Sequence, residues 1–358
     1  MRAAVLREYN SALEVVDTME TVATGPGQVR VRIRATGACH SDLSGMTGKL
    51  STPAPFVPGH EGAGEILEIG EGVTSVSPGD HVIVNFMPPC GSCAHCARDE
   101  GHLCMALMAT ASRTPSFRLD GKPVFGLVGC GTFAEEVVLP HQSVVPVGED
   151  VPFDIAALIG CGVTTGTGAV FNTAQVEKGS TVAIVGCGGV GIAAMMAARL
   201  SGASQILAVD PSAAKRELVT GFGATATASP EEAAAVADEL TGGQGFDHTF
   251  EFVGRSSTVE AAYKLARRGG TVTVVGVGAL SDTFQVSMGA LAMQSKNVKG
   301  SVYGGADVPR QMDHLVSLWR DGSLDLASLI TNRIGLDDIN QAFDLMKTGD
   351  GIRTVIEL

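Results

Sequence analysis

The sequence predicts a two-domain chain of mixed class: a β-rich first domain, then an α/β domain built on a doubly wound parallel sheet. Three observations predict this. The 358 residues exceed one small domain and suggest two of ordinary size. Up to about residue 150, short β-branched runs alternate in polarity between frequent Pro and Gly turns. From about residue 163, continuous apolar runs alternate with helix-like stretches, the pattern of parallel strands covered on both faces.

In the first domain, Val29-Arg30-Val31-Arg32-Ile33 alternates as a half-buried strand does. Turn signals crowd Gly25-Pro26-Gly27, Pro53 to Pro58 and Pro78-Gly79-Asp80. In the second, Thr181–Val185 is a short apolar run, followed by a glycine turn and an Ala-rich helical stretch from Ile192 to Leu200. Gln205–Asp210 reads as the next strand, and Ala213–Gly221 as a helix closed by glycine. Asp247–Val253 and Thr271–Val275 read as further strands. The tail, 303–358, carries helices around Gln311–Trp319 and Leu336–Lys347 and a last strand, Arg353–Leu358.

Composition excludes several classes. Hydrophobic residues make up 45% and charged residues 18%, so the chain is neither disordered nor fibrous. A net charge of −13 argues against nucleic acid or an anionic membrane as partner. Two stretches lack charged side chains, Ile155–Val176 and Gly179–Ala198. The first is broken by polar residues and the second by five glycines, so neither is expected to span a membrane. The start, MRAAVLREYN, has no apolar signal core, and a cytoplasmic location is expected.

Gly186-Cys187-Gly188-Gly189-Val190-Gly191 follows a strand and opens a helix, and Asp210 ends the next strand 19 residues after Gly191. This is the context of a dinucleotide-binding fingerprint, in which glycines let a pyrophosphate approach the helix N-terminus. A carboxylate at Asp210 would accept from ribose hydroxyls and repel a 2′-phosphate, so NAD is expected rather than NADP.

The eight cysteines are too few for a disulfide scaffold of this length. Cys90-x2-Cys93-x2-Cys96-x7-Cys104 can wrap four thiolates around one tetrahedral Zn²⁺, a closed site that orders a loop. Four thiolates also suit an iron–sulfur cluster, but the run lacks ferredoxin spacing. His95 and His102 in this lobe are expected to face solvent rather than to act as ligands. Cys39, His60 and Cys161 form a second metal-binding possibility with one tetrahedral position open, though they are too far apart for spacing to establish it. Cys130 and Cys187 are expected to be packed small residues.

Over nearly its whole length the chain resembles the zinc-dependent medium-chain alcohol dehydrogenases. The resemblance rests on Cys39-His40-Ser41-Asp42, Gly59-His60-Glu61 with Gly64, Gly70 and Val73 downstream, the four-cysteine lobe, Gly160-Cys161-Gly162, the glycine fingerprint and the ending Gly351-Ile352-Arg353-Thr354-Val355, in the family's order. It implies a GroES-like catalytic domain over 1–162 with its zinc lobe at 90–104, a Rossmann domain over 163–302, and a return to the first domain over 303–358. It implies catalytic zinc on Cys39, His60 and Cys161, with Glu61 nearby and Asp42 orienting the imidazole. It implies Ser41 as the hydroxyl that takes the substrate's proton. For the cofactor, it implies pyrophosphate contacts from His40 and Arg353 and ribose contacts from Asp210 and Lys215. Thr165, Val190, Val275, Val277, Ser301 and Tyr303 are placed around the rest of the nucleotide.

By the same resemblance, Phe86, Met108, Leu127, Val128, Val277 and Val302 line an apolar substrate pocket, suited to a primary or aromatic alcohol and its aldehyde. Hydride would pass to NAD, with two Zn²⁺ per subunit and a homodimer as the expected assembly, a tetramer being the alternative. Related enzymes that oxidise a formaldehyde–thiol adduct are the competing reading. Glutathione-type members hold a carboxylate with a basic residue where this chain has Met108, with Arg113 and Arg118 close by in sequence. A non-catalytic NAD-binding protein is disfavoured because all seven metal-binding positions are kept. Ser44 stands where many members carry a relaying histidine, so protons are expected to leave through the cofactor ribose and water.

Overall fold

The computed structural model describes residues 1–50, 52–279 and 281–358. The chain forms two compact units, Met1–Cys161 with Asp307–Leu358, and Gly162–Ala306.

The first unit is built around a seven-stranded sheet. Its order is Val144–Val147, His81–Val84, Glu61–Ile69, Gln28–Gly37, Arg353–Glu357 and Ile330–Gly335, with Glu136–Pro140 also pairing Gln28–Gly37. The alternating run at Val29–Ile33 is the middle of the ten-residue strand Gln28–Gly37, whose odd-numbered side chains Val29, Val31 and Ile33 enter the core. This strand hydrogen-bonds antiparallel to both Glu61–Ile69 and Arg353–Glu357. It therefore brings the residues just after Gly37, the start of the Glu61 strand and the C-terminal strand to one end of the sheet.

The core under the sheet is aromatic. Phe56, Phe117, Phe133 and Phe343 are all buried in one cluster with Leu6, Ile33, Ile66 and Leu127. Phe343, on the helix Ile339–Thr348, meets Phe133 edge-on with ring centroids 6.1 Å apart. The C-terminal segment is thus tied into the first unit by its helix as well as by its last strand.

The second unit is a six-stranded sheet in the order Ala226–Ala228, Gln205–Val209, Thr181–Val185, Phe246–Glu251, Ala266–Val274, Asn297–Gly300, and every pairing is parallel. The central strands are buried almost throughout, which is why they read as unbroken apolar runs. The edge strand Asn297–Gly300 is exposed along its length.

Local boundaries differ from expectation in a few places. The helix expected over Ala213–Gly221 ends at Leu218 and continues as a 3₁₀ turn over Val219–Phe222; the left-handed residue that closes it is Gly223, not Gly221. The uncharged stretch at Ile155–Val176 lies in a helix from Phe153 to Ala174, long and apolar enough to cross a membrane, but 83% of its most apolar window is buried inside the protein. It is a core helix, widened into π turns at Ile159–Val163 and Ala169–Ala174.

Phe343→Ala should destabilise the first unit by about 3–5 kcal/mol, because the vacated ring space cannot collapse inside a sheet core. Calorimetric unfolding is the check, and an unchanged transition would show that the C-terminal helix is not part of that core.

Candidate active site

Among the described residues of the first unit, two side-chain clusters have metal-binding geometry. One is Cys39, His60, Glu61 and Cys161, all buried, with one ligand atom from each lying within 4.8 Å of the others. Cys39 caps the short helix His40–Met46 just after the long strand, while His60 and Glu61 open the neighbouring strand. Cys161 sits in the first π turn of the Phe153–Ala174 helix, a widened turn of the kind often found at functional sites.

Asp42 joins these elements. Its carboxylate is fully buried. Oδ2 accepts from the Cys39 backbone N–H at 2.9 Å, and Oδ1 accepts from the Gly59 backbone N–H at 2.9 Å and from His60 Nδ1 at 3.0 Å. With Nδ1–H committed to Asp42, Nε2 is the ring nitrogen left for a metal. Burial alone would lower the His60 imidazole, but Asp42 and then Cys39 outweigh it and raise it to about 10. The Cys161 thiol, aided by His60, holds Cys39 well below the ordinary thiol range despite its burial. Two sulfurs and an imidazole, with thiolate character already favoured, fit Zn²⁺.

Glu61 is fully buried and ion-paired with the buried Arg353 guanidinium. Arg353 thus has a contact that the sequence reading did not include. Its head group is directed at Glu61, because a carboxylate removed from water needs a counter-charge. No spacing rule could have signalled a pair formed between the second strand of the sheet's centre and the end of the chain.

The second cluster is Cys90, Cys93, Cys96 and Cys104, again with sulfurs within 4.8 Å of one another. Cys93 and Cys96 Sγ lie 3.6 Å apart, and the Cys90 N–H donates to Cys104 Sγ at 3.3 Å. Hydrogen bonds from Ser92 lower the Cys90 thiol to about 6. Four converging sulfurs with no fifth ligand fit a closed structural zinc site. His95 belongs to a different contact, its Nδ1 lying 2.9 Å from Glu100 Oε2, and His102 is only partly exposed. Cys130 and Cys187 are buried, and burial pushes both thiols up to about 12, as inert packed residues require.

Of the expected substrate-pocket residues in the first unit, Phe86 is best placed, its ring edge-on to His60 at 5.2 Å. Met108 is half-buried on the helix Ala106–Ala111. Val128 is half-buried in a left-handed conformation (φ 47°), a strained state for a β-branched residue. Leu127 is fully buried in the core, and a Cβ on Gly45 would stand 2.7 Å from its Cδ1. His40 is exposed at the start of its helix, and Ser41 and Ser44 are half-buried on it.

In the second unit the fingerprint lies between the strand Thr181–Val185 and the helix Gly189–Leu200. Gly186 has φ +98°, and a Cβ on Gly191 would stand 2.0 Å from the Gly186 carbonyl oxygen. A Cβ on Gly188 would meet nothing within 4 Å. The first and third glycines are therefore needed to close the turn, while the second leaves open space at the helix N-terminus, where a pyrophosphate fits. Asp210 accepts from the Cys187 N–H and the Ser212 N–H, both at 2.9 Å, so it also braces the glycine turn. Val190, Lys215 and Thr165 are half-buried in this unit. Val277 is 75% exposed and Val302 is also exposed. Val275, Ser301 and Tyr303 are buried, Ser301 pairing with Thr173 at 2.8 Å.

Asp42→Asn should weaken metal binding at the Cys39–His60–Cys161 cluster about 10- to 100-fold, by leaving His60 without its charged orienting partner. Metal analysis after dialysis against a chelator should find one zinc retained per chain, on the four cysteines, where the unaltered protein retains two. Equal retention by both proteins would show that the carboxylate is dispensable.

Comparison with known proteins agrees with this geometry. Residues 25–149 match the alcohol dehydrogenase GroES-like domain family, and residues 189–317 match the zinc-binding dehydrogenase family. The S-(hydroxymethyl)glutathione dehydrogenase of Paracoccus denitrificans is 38% identical, with 99% of each chain covered. Among solved structures, an alcohol dehydrogenase zinc-binding domain protein from Burkholderia ambifaria is 31% identical with a TM-score of 0.93, covering 100% of this chain and 98% of the other. Benzyl alcohol dehydrogenase from Acinetobacter calcoaceticus is 29% identical with a TM-score of 0.93, covering 100% and 99%.

Proposed function

Because this chain belongs to the zinc-dependent medium-chain alcohol dehydrogenase family, we propose that it oxidises the hydroxymethyl adduct of formaldehyde with a thiol, using NAD. The observation that carries this reading is the 38% identity, over 99% of both chains, with an S-(hydroxymethyl)glutathione dehydrogenase. A second reading, a primary or aromatic alcohol and its aldehyde, is supported by the likeness to benzyl alcohol dehydrogenase and by the Phe86 ring against His60.

The two readings share one chemistry. When bound, zinc supplies a Lewis acid to the substrate oxygen and NAD supplies the hydride acceptor. Cys39, His60 and Cys161 hold the metal, and Asp42 keeps His60 in the tautomer that binds it. Ser41 would take the substrate's proton, and Ser44, which does not titrate near neutrality, would not serve as the terminal base. The family's fold binds NAD or NADP. Asp210, whose carboxylate ends the second strand of the fingerprint motif, favours NAD by repelling a 2′-phosphate. On this reading residues 1–162 and 303–358 carry the catalytic machinery and 163–302 the cofactor, in a cytoplasmic enzyme.

NADH formation separates the substrates. With formaldehyde, the rate should rise at least about tenfold when glutathione or another low-molecular-weight thiol is added, and benzyl alcohol should be a poorer substrate by kcat/KM. Thiol-independent oxidation of benzyl alcohol with no response to formaldehyde would favour the second reading instead.

The assembly proposed is a homodimer. The exposed edge strand Asn297–Gly300 lies near exposed apolar side chains in sequence, including Met288, which is 87% exposed, and Met293. An unpaired edge with apolar neighbours is a template for pairing with a second copy. Val298→Pro, which removes a donor from that edge, should convert the dimer to a monomer in light scattering. A mass unchanged from that of the unaltered protein would remove the edge from the interface.

A further inference from the structure

We propose that Glu251 is a positioning residue for the dinucleotide crevice, holding together the loops that surround the glycine fingerprint. It ends the strand Phe246–Glu251 and pairs in register with Val185, the residue before Gly186. The strand order reverses between these two strands: the chain runs outward from Thr181–Val185 through Gln205–Val209 to Ala226–Ala228, then returns to Phe246–Glu251 on the other side. In a parallel sheet, the carboxyl edge at such a reversal is where a nucleotide binds.

Glu251 makes contacts in both directions there. Its side-chain Oε1 accepts from the backbone N–H groups of Val253 and Gly254, each at 2.8 Å, and from the Thr258 hydroxyl at 2.6 Å. Its backbone carbonyl accepts from Val275 and Gly276, at 2.9 and 3.0 Å. One residue thus fixes the loop after its own strand and the loop after the next. The first of these loops forms a wall of the fingerprint. Phe252 N–H donates to the Val185 carbonyl at 3.0 Å, and a Cβ on Gly186 would stand 2.7 Å from Val253 Cγ2. Gly254 packs on the second loop, where an added Cβ would stand 2.7 Å from the Val277 carbonyl carbon.

Stability alone does not account for an acid at this position. The Glu251 side chain is fully buried, and its Oε2 has no hydrogen-bond partner. A buried carboxylate with one oxygen unpaired costs the fold more than an amide or an apolar side chain would. What the carboxylate provides is a charged acceptor strong enough to gather three donors at one oxygen. Those donors come from the turn beside Gly186 and the helix that follows it. This assignment rests on the dinucleotide reading of Gly186–Gly191 and extends it to a residue that need not touch the nucleotide.

The test uses the full-length, zinc-loaded protein and NADH itself as probe, with its dissociation constant read by fluorescence. Glu251→Leu removes both side-chain acceptor oxygens at similar volume, leaving the backbone carbonyl in place, and should raise the NADH dissociation constant about tenfold or more. The KM for NAD should rise by a larger factor than kcat falls. Glu251→Gln, which keeps one acceptor oxygen, should recover most of the affinity, to within about threefold of the unaltered protein. Thr258→Val deletes a single donor and should weaken NADH about threefold; it is the deciding variant if Glu251→Leu does not fold. An unaltered protein that fails to bind NADH overturns the dinucleotide reading itself. An unaltered protein that binds NADH, with Glu251→Leu (or, if that does not fold, Thr258→Val) binding equally well, overturns the role of Glu251 alone.

Discussion

The buried Cys39–His60–Glu61–Cys161 cluster depends on one buried carboxylate. Asp42 accepts from the Cys39 backbone, the Gly59 backbone and the His60 ring, so a helix start and a strand start are fastened to the same two oxygens. It thereby ties together the segments that carry Cys39 and His60, two members of the candidate metal cluster. A buried anion is costly by itself, and here the cost is offset because each oxygen is engaged by N–H donors that also need partners. The same contact sets the tautomer of His60, so folding and metal chemistry are served by one interaction.

The second unit repeats the device. Asp210 braces the glycine turn through Cys187 N–H, and Glu251 gathers the N–H groups of Val253 and Gly254. In each case the acid lies at the end of a strand or in the first turn of a helix, where backbone donors lack a partner within their own element. Loops that must approach a ligand closely cannot be filled with bulky side chains. Anchoring their backbone to a buried carboxylate makes them rigid while leaving the space in front of them open, as it is at Gly188.

Much of this was legible in the sequence, for local reasons. The four-cysteine lobe and the glycine fingerprint are short-range motifs: all their ligands or turn residues lie within one loop, so spacing carries the geometry. Parallel strands buried on both faces read as apolar runs, and the alternating strand at Val29–Ile33 announced its own core face. The less legible features were those whose partners come from distant segments. Arg353 pairs with Glu61, which the sheet brings beside it. Leu127, Ser301 and Tyr303 are buried, which nothing in their residue types announced.

The sequence by itself determined the fold class, the four-cysteine set and the nucleotide turn, because hydrophobic period and short spacing act over a few residues; the Cys39, His60 and Cys161 set rested on resemblance until the fold brought the three together. Only the tertiary structure decided that Cys161 belongs to a π turn, that Val128 is held at positive φ, that Arg353 answers a buried Glu61, and that Glu251 ties two loops to the fingerprint. Those outcomes depend on which segments the sheets bring together and on which polar groups are then cut off from water. A buried charge must find its partner wherever the fold supplies one, and that location has no signature along the chain.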